Sequence, residues 1–307
     1  MKICFLIDAW KPVWGGGQEH VLRVAKTLKA DIIAPNLVNP KFNFFNFWHR
    51  IWFSLWTIKF LLTSDYDLYH SHTFSTSIFL PLVKLRGKKT AITLHGLGKN
   101  LIGGGILNTL KIPVLLSWLI LDIWPYDARF SVSSIKNFIT VGNGVDTNEF
   151  DKFKKNKTNR FRIFWIGRKY DPIKGVNYLG EAVKGLDVDL DVAENIYGEE
   201  KIKRFKMADL YVLPSLSEGF PIVLLEAMAA KLPIITTDVG DCKKLVEEAK
   251  CGLVIKSVAD LKPAIIKMIK SKDLVTMGER GYQYVKQKYT WAKVAAIYNS
   301  GHRGLNS

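Results

Sequence analysis

The feature that most constrains the fold of this chain is an alternation between short apolar runs and segments with helical periodicity. The apolar runs predict strands at residues 2–8, 31–34, 68–70, 90–94, 161–166, 210–213 and 233–236. Helices are predicted between them, among others at residues 19–28, 175–183 and 221–230. Strands that are apolar on both faces and alternate with helices are typical of a parallel sheet covered by helices on each side. The predicted fold class is therefore α/β.

The alternation breaks once, near the middle of the chain. Residues 141–150, VGNGVDTNEF, are rich in turn-forming residues, and a basic run follows at residues 152–162. The strand–helix pattern then starts again. Because 307 residues suffice for two α/β domains of ordinary size, we predict an N-terminal Rossmann-like domain over residues 1–144 and a C-terminal one over residues 145–289.

Composition narrows the class of protein further. Apolar residues make up 48% of the chain, which excludes wholesale disorder. The three cysteines, Cys4, Cys242 and Cys251, form no CxxC pair, which argues against a disulfide framework or a zinc site. The first apolar run is short and contains Asp8, and no run of about 20 residues is free of charge. We therefore expect a cytoplasmic protein without a secretory signal or a membrane-spanning helix.

The chain carries a formal charge of +16. Such an excess favours acidic partners, which include nucleic acid, anionic lipid and phosphate-bearing substrates. A nucleic-acid interface usually places aromatic side chains among Lys and Arg residues on an exposed strand face. The aromatic residues here cluster instead in apolar helical stretches, so we expect no nucleic-acid partner.

The segment PSLSEGFPIVLLEAMAAKLPIITTDVGD, residues 214–241, carries the strongest chemical signal. Pro221 is expected in the first helical turn, where its missing N–H group has no cost. The N–H groups of Ile222 and Val223 would then form an anion site with the helix dipole. Glu218 precedes this terminus and Glu226 lies inside the helix, and carboxylates suit the paired hydroxyls of a ribose or a sugar. Taken alone, the two glutamates could equally be a helix-starting residue and a solvated residue.

Two further segments place candidate ligands after predicted strands. In IGRKYDPIKG, Arg168 follows a strand and Lys174 lies six residues later, so both cations suit a diphosphate at the carboxyl edge of the sheet. Gly15, Gly16 and Gly17 follow the first strand and allow a phosphate to approach the backbone, although they form neither a GxGxxG nor a Walker motif. The competing interpretations are two exposed cations and a plain tight turn.

Histidines also end predicted strands. His95 ends the strand in AITLHG, and His70 and His72 end another in LYHSH. Ligands of α/β proteins bind at the carboxyl ends of parallel strands, yet a lone histidine is more often a hydrogen-bonded structural residue. His70 and His72 have no third metal ligand nearby in the sequence, so no metal site is predicted.

Taken in chain order, these segments resemble the retaining glycosyltransferases of family 4, whose GT-B fold has two facing Rossmann-like domains. The matching pieces are GGGQEH, LYHSH, LHG, GNGVDTNEF, GRKYDPIKG and SEGFPIVLLEAMAAKLPIITTDVGD. The two glutamates separated by seven residues, with their flanks, are the most specific of them. The terminal KYTWAKVAAIYN resembles the closing helix of the family, which predicts that a helix at residues 290–303 joins the N-terminal domain.

The resemblance implies transfer of a sugar, with retention of configuration, from a nucleotide-diphosphate sugar to a hydroxyl of a sugar, a glycoprotein glycan or a lipid-linked acceptor. No metal or other cofactor is implied. Glu226 would hold the ribose, Glu218 the transferred sugar, and Arg168 with Lys174 the diphosphate, while His95 would touch the sugar near the reacting carbon. The implied catalytic residues are Glu218, Arg168, Lys174 and His95, and the donor-binding residues are Gly15, Gly16, Gly17, Gly219, Phe220, Ile222, Val223 and Glu226.

The chain departs from the family in length. Only 43 residues lie between Lys174 and Glu218, so about one strand–helix unit is expected to be missing, including loops that approach the nucleotide base. Residues 95–143 also look trimmed. The base preference therefore stays open. An inactive relative that binds a sugar or lipid, a sugar-nucleotide epimerase and a basic nucleic-acid-binding protein remain the alternatives.

Residues 42–62 are unusually aromatic, with Trp48, Trp52 and Trp56 at helical spacing. A polar stripe runs along the same predicted helix, formed by Asn43, Asn46, Arg50, Ser54 and Thr57. One interpretation is a buried helix of the first domain. The alternative is a helix in a membrane interface, because Trp suits the headgroup layer and basic residues attract anionic lipid. The protein would then be peripheral at the inner face of a membrane.

Overall fold

The chain forms two compact units, which we describe separately. The computed structural model describes residues 1–7, 16–39, 41, 47–72, 74–94, 124–127, 139–154 and 159–304. Unit 1 comprises residues 1–142 and 294–307, and unit 2 comprises residues 143–293. The predicted boundary stood at residues 144 and 145. Residues 112–121, an apolar segment with Pro113 for which the sequence predicts a buried core helix, lie outside the described residues.

Unit 1 is built on a parallel sheet. Its elements are β1 (Ile3–Leu6), α1 (Gly16–Leu28), β2 (Asp31–Ile33), α2 (Pro35–Val38), α3 (Phe47–Thr63), β3 (Leu68–Ser71), α4 (Phe74–Ser77), α5 (Leu80–Leu85), β4 (Lys89–Leu94), β5 (Trp124–Asp127) and β6 (Ile139–Thr140). The described strands lie in the order β2-β1-β3-β4-β5-β6, and all neighbours pair in parallel. Every residue of β1 and β3 is buried. This agrees with the continuous apolar sequence of β1, whereas β3 also buries the polar residues His70 and Ser71.

The first glycine-rich segment differs from its predicted form. Gly16 and Gly17 lie in the first turn of α1 rather than in a turn before it, and Gly15 lies outside the described residues. The first N–H groups of a helix have no intrahelical partner, so glycine is less costly there than in a helix interior. Helix α1 therefore begins three residues before the predicted start at residue 19.

Unit 2 contains a second parallel sheet. Its elements are α6 (Thr147–Asp151), β7 (Phe161–Ile166), a 3-10 helix (Pro172–Lys174), α7 (Val176–Val183), β8 (Val188–Ala193), α8 (Gly198–Met207), β9 (Leu210–Leu213), α9 (Ile222–Ala229), β10 (Ile234–Thr237), α10 (Cys242–Ala249), β11 (Gly252–Ile255), a second 3-10 helix (Val258–Asp260), α11 (Leu261–Ile269), α12 (Leu274–Lys288) and the start of α13 (Trp291–Gly304). The strand order is β11-β10-β9-β7-β8. Helices α9, α10 and α12 cover one face, and α7 and α11 cover the other.

Strand β8 is the edge strand beside β7, and the chain returns from it through α8 to β9 on the opposite side of β7. Its sequence alternates Val188, Leu190 and Val192 with acidic residues, and it is only half-buried. Asp191 on this strand pairs with Arg204 of α8. The short segment between Lys174 and Glu218 thus supplies two strands, β8 and β9, and two helices, α7 and α8.

Helix α13 continues from unit 2 into unit 1, where a buried network of hydrogen bonds holds it. His302 Nε2 lies 3.0 Å from His70 Nδ1, and His70 Nε2 lies 2.8 Å from Thr93 Oγ1. The hydroxyl of Tyr298 lies 2.8 Å from that of Thr93 and 2.9 Å from His20 Nε2. The network therefore joins α13 to α1, β3 and β4.

The buried imidazole of His302 makes the stability of unit 1 depend on pH. Burial lowers the pKa of His302 from 6.5 to about 4, so the folded state disfavours the protonated ring. This contribution to stability is complete above pH 6.5 and is lost as the pH falls to about 4, by about 3 kcal/mol. Urea unfolding at several pH values should show a smaller loss of unfolding free energy over this range for His302→Gln than for the wild type. Equal losses in the two proteins would contradict this assignment.

Candidate functional site

Unit 2 brings two polar loops together at one edge of its sheet. The first loop follows β7 and contains Arg168 and Lys174, and the second follows β9 and contains Glu218. Strands β7 and β9 are parallel neighbours, so their carboxyl ends lie at the same edge. A backbone hydrogen bond of 2.7 Å from Leu216 N to Ile173 O ties the loops directly to each other.

The side chains of Lys174 and Glu218 form an ion pair between these loops. Lys174 Nζ lies 2.8 Å from Glu218 Oε1, and the hydroxyl of Ser215 donates to the same oxygen at 2.7 Å. Both charged side chains are largely shielded from solvent. Removing two charges from water costs free energy that a single contact rarely repays, which is more typical of a functional pair than of a stabilising one.

Two glycines allow the loops to approach so closely. Gly175 has a φ of 69°, and a Cβ atom there would lie 2.1 Å from Pro214 O. Gly240 has a φ of 53°, and a Cβ atom there would lie 2.3 Å from Gly219 O and 2.5 Å from Glu218 O. Any other residue would displace the backbone next to Lys174 or Glu218. In the sequence, these two glycines end the segments IKG and DVG, each of which follows a loop or a strand end.

Helix α9 begins four residues after Glu218. The helix begins at Ile222, and Pro221 is its N-cap residue with a ψ of 114°, one position earlier than predicted. The proline ring fixes φ but leaves ψ free to be extended, so it suits either position. Pro221 supplies no side-chain cap, and the N–H groups of Ile222 and Val223 are the first two of the helix.

The loop before α9 is fixed through its carbonyl groups. Phe220 O accepts a hydrogen bond of 2.9 Å from Asn143 Nδ2, and Gly219 O accepts one of 3.0 Å from Asp241 N. The Phe220 ring also packs against Tyr289 at 5.5 Å between ring centres. Asn143 was not singled out from the sequence, although it lies in the segment GNGVDTNEF.

Glu226 is buried, with 7% of the residue exposed, so its interpretation as a solvated helix residue is wrong. Its Oε1 atom lies 2.5 Å from Lys201 Nζ of α8, and Lys201 is also largely buried. A carboxylate inside a protein requires such a partner. Lys201 was missed in the sequence because α8 carries several cations, and their spacing does not show which of them turns inwards.

A buried phenol and a buried thiol lie within the electrostatic influence of the glutamates. The pKa of Tyr211 is raised well above its usual value, first by burial and then by the charges of Glu218 and Glu226. Burial likewise raises the pKa of the Cys242 thiol to about 12, with a smaller contribution from Glu218. Both groups are therefore neutral at physiological pH, and Cys242 is not activated as a nucleophile.

Arg168 does not join the pair formed by Lys174 and Glu218. Its Nη2 atom lies 2.5 Å from Asp171 Oδ2 within the same loop, and 69% of its side chain is exposed. Exposed pairs of this kind contribute little free energy. Arg168 can therefore exchange Asp171 for another anion at small cost.

The candidates of unit 1 have different outcomes. His95 and Gly15 lie outside the described residues, whereas Gly16 and Gly17 lie at the start of α1. His70 and His72 are buried, with their rings stacked at 4.6 Å, and His70 belongs to the network that holds α13. Within the described residues, no group of three or more His, Cys, Asp or Glu side chains could hold a metal ion.

Comparison with known proteins matches residues 150–284 to the family described as glycosyl transferases group 1. An uncharacterised glycosyltransferase of Methanocaldococcus jannaschii is 29% identical over 261 residues, which are 74% of this chain and 72% of that protein. A probable sucrose-phosphate synthase of Thermosipho melanesiensis is 31% identical over 93 residues, but these are only 22% of its length. The chain thus spans a minor part of some relatives.

Solved structures match over nearly the whole chain. Sucrose-phosphate synthase from Thermosynechococcus elongatus has a TM-score of 0.79 at 16% identity, with 99% of each chain covered. HepE from Anabaena, in complex with UDP-glucose, has a TM-score of 0.72 at 16% identity, with 100% of this chain and 99% of that chain covered. At such low identity these matches define the fold, and they confirm the predicted fold class. The chain therefore has the GT-B fold and, through residues 150–284, is similar to the group 1 glycosyltransferases.

Proposed function

We propose that this protein is a retaining glycosyltransferase of family 4 that moves a hexosyl group from a nucleotide-diphosphate sugar to an acceptor hydroxyl without a metal ion. The observation that carries the proposal is the pair of Lys174 and Glu218, 2.8 Å apart, with Glu218 four residues before the first residue of α9. In the proposal, one ligand meets the cation, the carboxylate and the N–H groups of Ile222 and Val223.

The proposed role of the positive groups follows from the chemistry of transfer. Breaking the bond between the anomeric carbon and the phosphate oxygen leaves negative charge on the diphosphate. Lys174 and the N–H groups of Ile222 and Val223 are fixed donors for that charge, and each such donor lowers a barrier by roughly 2–4 kcal/mol. Arg168 adds a second cation when it leaves Asp171. These groups take the part that a metal ion has in other transferases.

We assign Glu218 a positioning role rather than that of a covalent nucleophile. One of its oxygens accepts hydrogen bonds from both Lys174 and Ser215, which fixes the carboxylate against the sugar hydroxyls. The acceptor oxygen then attacks on the face that the diphosphate leaves, through an ion-pair-like transition state. A bond forms from the acceptor oxygen to the anomeric carbon, and the acceptor proton passes to the departing phosphate oxygen.

Glu226 is assigned to the ribose of the donor. A carboxylate accepts two adjacent hydroxyl donors at once, and the Lys201 ammonium 2.5 Å away orients the carboxylate of Glu226. The complex of HepE with UDP-glucose supports a nucleotide sugar as the donor class. On the family resemblance we also assign Gly15, Gly16 and Gly17, with Gly219 and Phe220, to donor binding.

The remaining assignments concern the reacting sugar and the acceptor. His95 is proposed to touch the donor sugar near the reacting carbon, on the family resemblance. The acceptor is a hydroxyl of a sugar, a glycan or a lipid-linked molecule. The formal charge of +16 favours the inner face of an anionic membrane as the place of reaction.

Substitution of either member of the loop pair should abolish most transfer. Lys174→Ala removes a donor to the departing diphosphate, and Glu218→Ala removes the group that positions the sugar. We expect kcat to fall about 10²–10³-fold in each variant, measured as nucleoside diphosphate released from the nucleotide sugar that gives the largest thermal shift. Lys184→Ala is the matched control, because Lys184 forms an exposed pair with Glu181 at 2.7 Å. Near-normal turnover of Lys174→Ala or Glu218→Ala would refute the assigned roles.

The pair of Lys201 and Glu226 allows its structural and binding roles to be separated. Lys201→Met or Glu226→Gln alone leaves a buried charge without its partner, which should lower the unfolding free energy by about 3 kcal/mol. The double variant should recover much of that loss. Its affinity for UDP, measured by calorimetry, should nevertheless stay about tenfold below that of the wild type, because the ribose has lost its carboxylate. Wild-type affinity in the double variant would show that Glu226 has no part in donor binding.

A further inference from the structure

One face of α3 exposes large apolar side chains in a continuous stripe. Trp48, Trp52, Leu55, Lys59 and Leu62 recur at intervals of three and four residues, which places them on one side of the helix. Trp48 is 72% exposed and Leu55 is 63% exposed. We refer to these five residues as the outer face of α3.

The opposite side of α3 packs onto the core of unit 1. Phe53, Thr57 and Leu61 are buried there, and Leu61 belongs to the apolar cluster around β1 and β3. The predicted polar stripe therefore does not face solvent at Thr57. The interpretation of α3 as a buried helix of the first domain therefore holds for this side only, because Trp48 and Trp52 are exposed.

Side-chain contacts hold the C-terminal end and the flank of α3. The guanidinium of Arg86, which follows α5, donates to the carbonyl oxygens of Leu61 and Ser64 at the end of α3. Carbonyl groups at a helix C-terminus have no intrahelical partner, and Ser64 O also accepts a hydrogen bond of 2.8 Å from the hydroxyl of Tyr69. Trp56 and Phe60 stack along the flank of α3 at 5.1 Å. Leu85 of α5, a helix that packs against α3, is 79% exposed.

The sequence segment that contains this face carries only positively charged residues. No Asp or Glu occurs in residues 32–64, which contain Lys41, Arg50 and Lys59. Unit 1 as a whole has 17 Lys and Arg residues against 7 Asp and Glu residues, a formal charge of +10. An apolar stripe within so basic a unit complements a surface that is both apolar and anionic.

We propose that the outer face of α3 docks on an anionic phospholipid bilayer, with Trp48 and Trp52 in the headgroup layer and Lys59 among lipid phosphates. Trp combines a large apolar ring with an N–H donor, which suits the boundary between acyl chains and headgroups. A second copy of the chain is a poorer occupant, because it would bring a unit of charge +10 against another. Within the described residues, no helix is long and apolar enough to cross a membrane.

This proposal is independent of the proposed transferase activity, because lipid binding is measured without a donor. The full chain is sedimented with vesicles of phosphatidylcholine alone and with vesicles that contain phosphatidylglycerol. Each set is measured at ionic strengths of about 0.1 M and about 1 M, where the Debye length is about 10 Å and about 3 Å. We expect binding to the anionic vesicles that weakens at high salt.

Two variants test the outer face, each with a matched control from unit 2. Trp48→Ser combined with Trp52→Ser should reduce the vesicle partition coefficient about tenfold or more, because it removes the apolar anchor. Lys59→Glu should reduce it severalfold at low salt only. Val275→Ser and Lys272→Glu change an exposed apolar residue and an exposed lysine on unit 2, and they should leave binding unchanged.

Three results would overturn the proposal. The first is a wild type that does not bind anionic vesicles at low salt. The second is a Trp48 and Trp52 variant that binds as tightly as its controls. Alternatively, light scattering would show a wild-type dimer that the variant abolishes while vesicle binding is absent, which would assign the face to a second copy. Circular dichroism and thermal melts verify that each variant is folded, which is expected because the substituted side chains are exposed.

Discussion

The parallel pairing of β7 with β9 is the constraint on which the candidate site depends. Two strands that are distant in sequence end at one edge of the sheet, so the loops after them have to meet. The hydrogen bond from Leu216 N to Ile173 O and the ion pair of Lys174 with Glu218 both follow from that meeting. Gly175 and Gly240 leave room for it, since a Cβ atom at either position would overlap backbone atoms.

Charged groups placed inside unit 2 are the second organising feature. Glu226 and Lys201 are largely buried and pair with each other, and Glu218 is nearly buried beside Lys174. Such pairs rarely increase stability relative to apolar residues, so their free-energy cost is understandable if a ligand uses them. Tyr211 and Cys242 are buried near these glutamates and are neutral, so neither side chain competes as a nucleophile.

Seven of the eleven described strands could be predicted from the sequence as short, mostly apolar runs, whereas β5, β6, β8 and β11 were not predicted. Strand β8 could not be predicted in this way, since its acidic residues alternate with valine and leucine as expected of an edge strand. The resemblance to the family 4 glycosyltransferases led to the prediction that Lys174 and Glu218 share a site. Their direct ion pair depends on the order of strands in the sheet, which local sequence does not specify.

Other features of the structure could not be predicted from the sequence, for physical reasons that can be named. Helix α8 carries Lys201, Lys203, Arg204 and Lys206, and periodicity alone does not show which cation reaches Glu226. Helix α3 is apolar on nearly all sides, so its sequence does not determine which face is buried. The helical position of Pro221 was predicted with an error of one residue. The error arises because proline fixes φ but leaves ψ free, so it suits both the N-cap and the first helical position.

In the proposed function, the diphosphate of a nucleotide sugar lies between Lys174 and the N-terminus of α9. The most direct test is a crystal structure of the full chain with the nucleotide sugar that gives the largest thermal shift. We expect diphosphate oxygens about 3 Å from Lys174 Nζ and from the amide nitrogens of Ile222 and Val223. A donor bound elsewhere, with the pair of Lys174 and Glu218 unchanged and its diphosphate held by other groups, would contradict it.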